Sequence, residues 1–502
     1  MESTPIQSRI VAYLPFALLG LYLLLSLSYF LIHPLLPGYL PYDIKRLLEI
    51  TLLGVMVCHL IASPRYCQRW LHKFIGMSRC ARGLLLLILA LGILSACLAQ
   101  YPRFAVLEVG TWVGLFYLTL YIASTDKSVI FDKAIFSVIY ASMVYFLGVF
   151  VYQYAVNLSS GTLQQLNYFP GFMNVRFFSQ YQIWTLPLVL LPFLCLSPQR
   201  WFMRGISYVI AVLWWMLAFY SQAKGVGVAL VISFSIVSLC YFSVCKRWLV
   251  HQLVVAGLGA LSFGVLFVWL PHLLSTLPWA VDTVGGVTAD TRYQALPVSV
   301  STRLDLWWHG VAMIKANPFL GVGPLHFSIY PDLIAAHPHN SLLQIAAEWG
   351  LLVMLAVLAL CVWGLIAVFK YFTTLIKHDD QQRVLLLSVL TGLLAGFIYS
   401  LVSGVIVMPL GQVMLCVMVA WVLRHYQEVK MTALESTTVM PWWQHLLLLG
   451  FGVLALLDIF RGIYPDVRYL PQLQMQRAAD ANFNYAMHPR YWTDAVLRPE
   501  KP

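Results

Sequence analysis

Residues 83–99 read GLLLLILALGILSACLA, without a charge among them, between Arg82 on one side and Arg103 on the other. As a helix rising 1.5 Å per residue, a run of this length covers most of the roughly 30 Å hydrocarbon core of a bilayer. Windows of similar character recur along the chain. They fall near 11–31, 46–62, 83–99, 105–124, 134–155, 180–197, 206–222, 226–244, 252–270, 347–369, 384–404, 407–423 and 443–460. The segment Ala223–Gly225 leaves room only for a tight turn between two of them.

Composition points the same way. Hydrophobic residues make up 61% of the 502, charged residues 10%, and the mean hydropathy is +0.79. A soluble domain carries about 25% charged residues, so this chain cannot cover a water-facing surface. Helices whose outer surface meets lipid resolve the shortage. The expected fold is an all-α polytopic membrane protein with about 12–13 transmembrane helices. The expected division is 1–270 as membrane helices, 271–349 as a large periplasmic catalytic loop, 350–460 as further membrane helices, and 461–502 as a periplasmic tail.

The net charge of +11 would suggest nucleic acid in a soluble protein. Here the cations sit in short loops. With the N-terminus inside, the short inner loops hold seventeen Lys and Arg, and the short outer ones hold five: Lys45, Arg46, Arg103, Arg176 and Lys224. The positive-inside rule accounts for that bias, and no basic stripe with interleaved aromatics supports nucleic-acid binding. The apolar run Val11–Ile32 is too long for a cleavable signal and reads as a first anchor. The nine cysteines fall in helices or at inner ends, so no disulfide framework is expected.

Two outer segments are long, about 271–349 and 461–502. A loop as long as the first usually carries structure and function of its own. Within it Leu304–Ala316 has the spacing of a short amphipathic helix, and Pro318, Gly321, Gly323 and Pro324 then break the chain.

The chemistry-bearing residues concentrate there. Ser301–Phe327 reads STRLDLWWHGVAMIKANPFLGVGPLHF, and His337–Gly350 reads HPHNSLLQIAAEWG. Arg303 offers a planar fork suited to phosphate. His339 can take a proton near neutral pH. Trp307 and Trp308 suit sugar stacking. Each has a plainer reading. Arg303 serves equally as an interfacial anchor. His339 serves as a neighbour of the helix cap at Asn340 or Ser341. The tryptophans serve as belt residues, and Gly321 and Gly323 as turn formers. A second cluster, FPGFMNVRFFSQYQIWTL over 169–186, brings Arg176, Gln180 and Gln182 to the outer end of a helix. Lys224 is the third outer cation. Singly these are weak signals, but Arg176, Lys224, Arg303 and His339 share one membrane side under an orientation that did not use them. Asp282, Asp290, Asp305 and Asp332 are scattered, so no metal site is expected.

The motifs R-x-x-x-W, N-P-F-L-G-V-G and H-N-S-x-L followed by E-x-G, within Arg303–Gly350, resemble the signature of the bacterial O-antigen ligase/polymerase superfamily, the Wzy C-terminal family. The resemblance implies a membrane glycosyltransferase of the GT-C type that takes a glycan from undecaprenyl diphosphate at the periplasmic face of the inner membrane, with no metal or other cofactor. It implies that His339 activates the acceptor and that Arg303 and Arg176 bind the diphosphate, with Lys224 in the same group. Relatives often carry Ser-Arg-Gly where this chain has Ala223-Lys224-Gly225, and Lys lacks the bidentate fork. Gln180, Trp307, Asn340 and Glu348 would position substrate or acceptor. The segment PGFMNVRFFSQYQIWTLPLVLLP looks more like the branch of protein O-oligosaccharyltransferases, of the PglL and pilin-glycosylating types, whose acceptor is a Ser or Thr of a periplasmic protein. The alternatives are an O-antigen ligase with lipid A core as acceptor, a polysaccharide polymerase and a membrane transporter. Few acids lie within the membrane windows, Asp458 being the main one, which argues against ion-coupled transport.

Overall fold

A computed structural model of the chain describes residues 5–125, 129–159, 169–195, 197–275, 300–329, 335–375, 380–431, 441–479 and 490–493. No strand occurs among them. Short helical turns aside, the elements are α1 (Pro5–Leu27), α2 (Pro41–Ala62), α3 (Pro64–Ile75), α4 (Arg79–Leu98), α5 (Pro102–Ala123), α6 (Val129–Ser159), α7 (Val175–Thr185), α8 (Trp201–Ser221), α9 (Lys224–Phe263), α10 (Val300–Ala316), α11 (Ser341–Trp349), α12 (Leu351–Leu375), α13 (Asp380–Ser400), α14 (Pro409–Met431) and α15 (Trp442–Ala479).

Local sequence explains several of the boundaries. Proline opens α2, α3, α5 and α14, where its missing N–H is no loss and its fixed φ suits the first turn. Ser78, Asn174 and Asn340 cap α4, α7 and α11, each accepting a backbone N–H of the first turn.

Among the described residues nine helices are long and apolar enough to cross a membrane, or ten with α2 and α3 taken as one span bent by 107°. That count is lower than the 12–13 expected, although each expected window falls mostly on helix among the described residues. Three places account for the difference. In α1 the described side chains cover only Tyr13–Leu27, a shorter apolar stretch. Gln412, Arg424 and His425 dilute the hydropathy of α14. The windows 226–244 and 252–270 merge into one hydrogen-bonded element. Yet that element cannot be a straight rod. Its 40 residues would then span about 60 Å. Tyr241 leaves helical geometry at φ −136° and ψ 26°. The rings of Phe234 and Trp248 on either side lie 5.3 Å apart, and Tyr220, just before α9, meets Phe267, just after it, at 4.5 Å. The chain folds back at Tyr241.

Small residues let the helices approach closely, as packing in lipid requires. A Cβ on Gly110 would lie 3.2 Å from the Ala455 carbonyl of α15, and Gly396 lies directly under the Trp184 ring. Phe146, Phe169 and Phe178 stack at 4.5–4.6 Å, fixing the start of α7 against α6.

One end of the bundle carries the Asp132–His425 hydrogen bond at 3.0 Å and Arg424 over the Phe131 ring. At the other end the signature glycines lock the large loop. Helix α10 covers the amphipathic stretch expected over Leu304–Ala316 and stops before the proline–glycine turn. That turn lies along the α11–α12 junction. Val322 N–H donates to Ala347 O, Gly323 N–H to Glu348 O, and Leu351 N–H to Pro318 O, at 2.9–3.0 Å. Gly321, Gly323 and Gly350 all have positive φ, and a Cβ at Gly350 would fall on the Phe319 carbonyl. Helix α15 runs past residue 461 to Ala479, and the segment Arg490–Thr493 is buried among α2, α5 and α11. Asp282, Asp290, Asp332 and Tyr485 lie outside the described residues.

Gly350→Ala is therefore expected to cost at least about 2 kcal/mol of stability through backbone strain and collision. Thermal unfolding of the detergent-purified protein checks this; an unchanged midpoint would contradict the tight junction.

Candidate functional site

Arg176 stands in the first turn of α7, its backbone N–H on the Asn174 cap at 2.9 Å. Arg303 stands in the first turn of α10. Trp307, one turn further along α10, donates its indole N–H to the Pro338 carbonyl at 3.0 Å. That bond fixes the His-Pro-His-Asn turn against α10. His339 lies in the turn at φ +54°, in the left-handed region. A residue with a Cβ is held there only where its surroundings determine it. Asn340 accepts Leu343 N–H at 3.0 Å and caps α11, while Ser341 Oγ donates to Ser400 O at 2.9 Å, tying the turn to the end of α13.

Arg176, Arg303 and His339 converge. The two guanidinium groups act on each other and on the imidazole, and both act on the buried Tyr399 hydroxyl at the end of α13. Neither arginine has a carboxylate within ion-pair distance among the described residues, and Arg303 Nε is buried without a hydrogen-bond partner there. Burial, together with the charges of Arg303 and Arg176, lowers the His339 pKa to about 3. The site thus pairs two uncompensated cations with a neutral imidazole, which suits an anion bound beside a proton acceptor.

The other expected residues surround this centre in different ways. Gln180, on the same helix as Arg176, donates to Ser403 Oγ at 3.1 Å, and its own buried oxygen has no partner. Lys224 is exposed at the start of α9, and the adjacent Gly225 packs on the Tyr399 ring. Glu348 is fully buried, away from the arginine pair. It pairs with Arg490, accepts Phe327 N–H at 3.0 Å, and lies beside Gln344, whose amide oxygen, turned to the guanidinium, accepts from both terminal nitrogens. Burial raises its carboxyl to about 7 against the pull of Arg490.

Sequence reading missed Tyr399, His337 and Arg490. The His337 ring lies 4.1 Å from that of His339 and presses on Gly404, which has no room for a side chain. His337 stood in the quoted motif, but nothing in the spacing separated it from His339. Tyr399 sits at the end of an apolar window, where aromatic residues are ordinary. Arg490 has no local motif at all.

Comparison with known families matches residues 204–358 to the O-antigen ligase family, Wzy_C. The match covers just under a third of the chain and bears out the resemblance read from Arg303–Gly350 at the level of that family. It includes Lys224, Arg303, Trp307, His339, Asn340 and Glu348, while Arg176, Gln180, Tyr399 and Arg490 lie outside it. No curated protein matches the chain.

A depressed histidine pKa has a definite sign. Between about 6.5 and about 3 the unfolded imidazole binds a proton that the folded one excludes, so this group's contribution to stability falls as pH drops through that window. Diethyl pyrocarbonate attacks only neutral imidazole. His339 in the unliganded protein should therefore react at a rate that follows the reagent alone from about pH 5 to about pH 8. Arg303→Gln should leave that profile flat, because burial, the largest cause of the shift, and Arg176 both remain. Mass spectrometry of the modified peptide reads both, and an acid-side fall in the unsubstituted protein contradicts the assignment.

Proposed function

We propose that this chain, with its O-antigen ligase family segment over 204–358, is a membrane glycosyltransferase that moves an oligosaccharide from undecaprenyl diphosphate to a Ser or Thr hydroxyl of a periplasmic protein such as pilin. The observation that carries the reading is the pair of uncompensated arginines beside a neutral histidine. The family match supports glycan ligation in general. The protein acceptor is supported by the look of the 170–192 segment around Arg176 and Gln180.

The transfer is a single displacement with inversion. Arg176 and Arg303 receive the diphosphate. Its negative charge offsets theirs, so the imidazole, made weakly basic by burial and further by these charges, gains basicity when the donor arrives. His339 then takes the proton of the acceptor hydroxyl as that oxygen attacks the anomeric carbon. The bond from that carbon to the diphosphate oxygen breaks, and the charge building on the departing diphosphate falls on the two guanidiniums. They fill the electrostatic role without a metal ion, and the proton on His339 passes to solvent after release. Tyr399, on which both arginines act, would donate to a diphosphate or acceptor oxygen.

Transfer to lipid A core is the second reading, favoured by the matched family's own description. Deleting the gene separates the two. The protein-acceptor reading expects pilin to lose its glycan mass while the lipopolysaccharide ladder stays intact, and the reverse outcome assigns the chain to lipopolysaccharide.

His339→Ala is expected to lower transfer by roughly 10²–10⁴-fold through loss of the base. Arg303→Lys keeps charge but loses the fork, and should still lose about a hundredfold, on the order of 3 kcal/mol. Glycosylation of the acceptor at matched protein levels checks both. Normal product from either variant would falsify the role given to that residue.

A further inference from the structure

The segment Arg490–Thr493 makes its polar contacts deep in the protein. Its four residues are at most 5% exposed. Arg490 O accepts from the Tyr42 hydroxyl at 2.5 Å, Tyr491 O from Arg46 Nε at 3.2 Å, and Asp43 Oδ1 from Thr493 N–H at 2.7 Å. Trp492 donates its indole N–H to Asp466 at 3.0 Å. The Arg490 guanidinium faces two carboxylates, Glu348 of α11 and Glu108 of α5, the latter at 3.5 Å. Both are buried, at 0% and 4% exposure.

Glu348 sits near the C-terminal end of the nine-residue helix whose N-terminal end follows His339. The carbonyl of Glu348 receives Gly323 N–H from the signature turn, at 3.0 Å. The charge of Arg490 also acts on His337, the ring that abuts His339. One guanidinium therefore touches the helix behind the His339 turn and biases the ring beside it.

We propose that Arg490 is a positioning residue for His339: by clasping Glu348 at the far end of α11, it holds the left-handed turn in which His339 faces the arginine pair. Removing Arg490 leaves two buried carboxylates, Glu348 and Glu108, without their shared cation. Such a break is more damaging than removing the pair together. The helix then gives way, and the histidine turn loses its backing.

The kinetic part of this inference rests on the transfer reading above, so the test has two arms. Detergent-purified full-length protein is compared as wild type, Arg490→Gln, Glu348→Gln and the double variant Arg490→Met with Glu348→Gln. In transfer from lipid-linked glycan, each single variant should lose kcat by roughly 10–100-fold, as outer-sphere positioning residues do, with little change in donor KM. The double variant, left with Glu108 as its one stranded carboxylate, should recover part of what Arg490→Gln loses. In the second arm, diethyl pyrocarbonate should modify His339 faster in Arg490→Gln than in wild type, and the double variant should return towards the wild-type rate. Wild-type kcat and wild-type reactivity in Arg490→Gln would overturn the proposal, as would a double variant no better than the worse single. If the wild-type chain transfers no glycan, the functional reading fails; the reactivity arm still decides the clasp, and an unchanged rate in Arg490→Gln overturns it.

Discussion

Two guanidinium groups, Arg176 and Arg303, are held near each other and near His339, with no carboxylate in ion-pair distance among the described residues. Like charges in a partly buried place repel, and the fold must supply the force that keeps them together. Neither arginine supplies it. Asn174 fixes the start of α7 and aromatic stacking anchors the segment before it, while Trp307 binds the far side of the histidine turn. An anion bound between the two guanidiniums would relieve that repulsion.

The family motifs gain a physical meaning from this arrangement. N-P-F-L-G-V-G and E-x-G are two halves of one contact, since the turn at 318–323 hydrogen-bonds to the α11–α12 junction. Gly321, Gly323 and Gly350 take positive φ and lie where a Cβ would collide with backbone or side chains. These glycines do not touch the charged centre. They bring α10, which carries Arg303, and α11, which His339 leads into, to a fixed relative position.

Much of the fold was legible in the sequence. Hydropathy marks every helix window, and charge bias singles out the few cations at one end, because lipid allows little else in the spans. Arg176 was legible as an exception to that pattern, and Arg303 and His339 by their place in the motif-bearing long segment. Other features depend on contacts between distant parts of the chain. Arg490 meets Glu348 across 142 positions, and no local pattern records that. A polar tail after the last apolar window reads as solvent-facing, although its last described residues are buried. Glu348, read as near the substrate, is occupied by Arg490 instead. The count of spans differs chiefly because the two windows on either side of Tyr241 run on as one hydrogen-bonded helix, while α14 carries polar residues that dilute its hydropathy.

The central claim is that the arginine pair exists to hold a diphosphate. The most direct measurement is equilibrium binding of undecaprenyl diphosphate, without glycan or acceptor, to the purified protein and to a variant with Arg176→Gln and Arg303→Gln. Charge-assisted hydrogen bonds contribute about 1.5–3 kcal/mol each, so the variant should bind about a hundredfold more weakly or worse. Equal affinity in the two proteins would contradict the account.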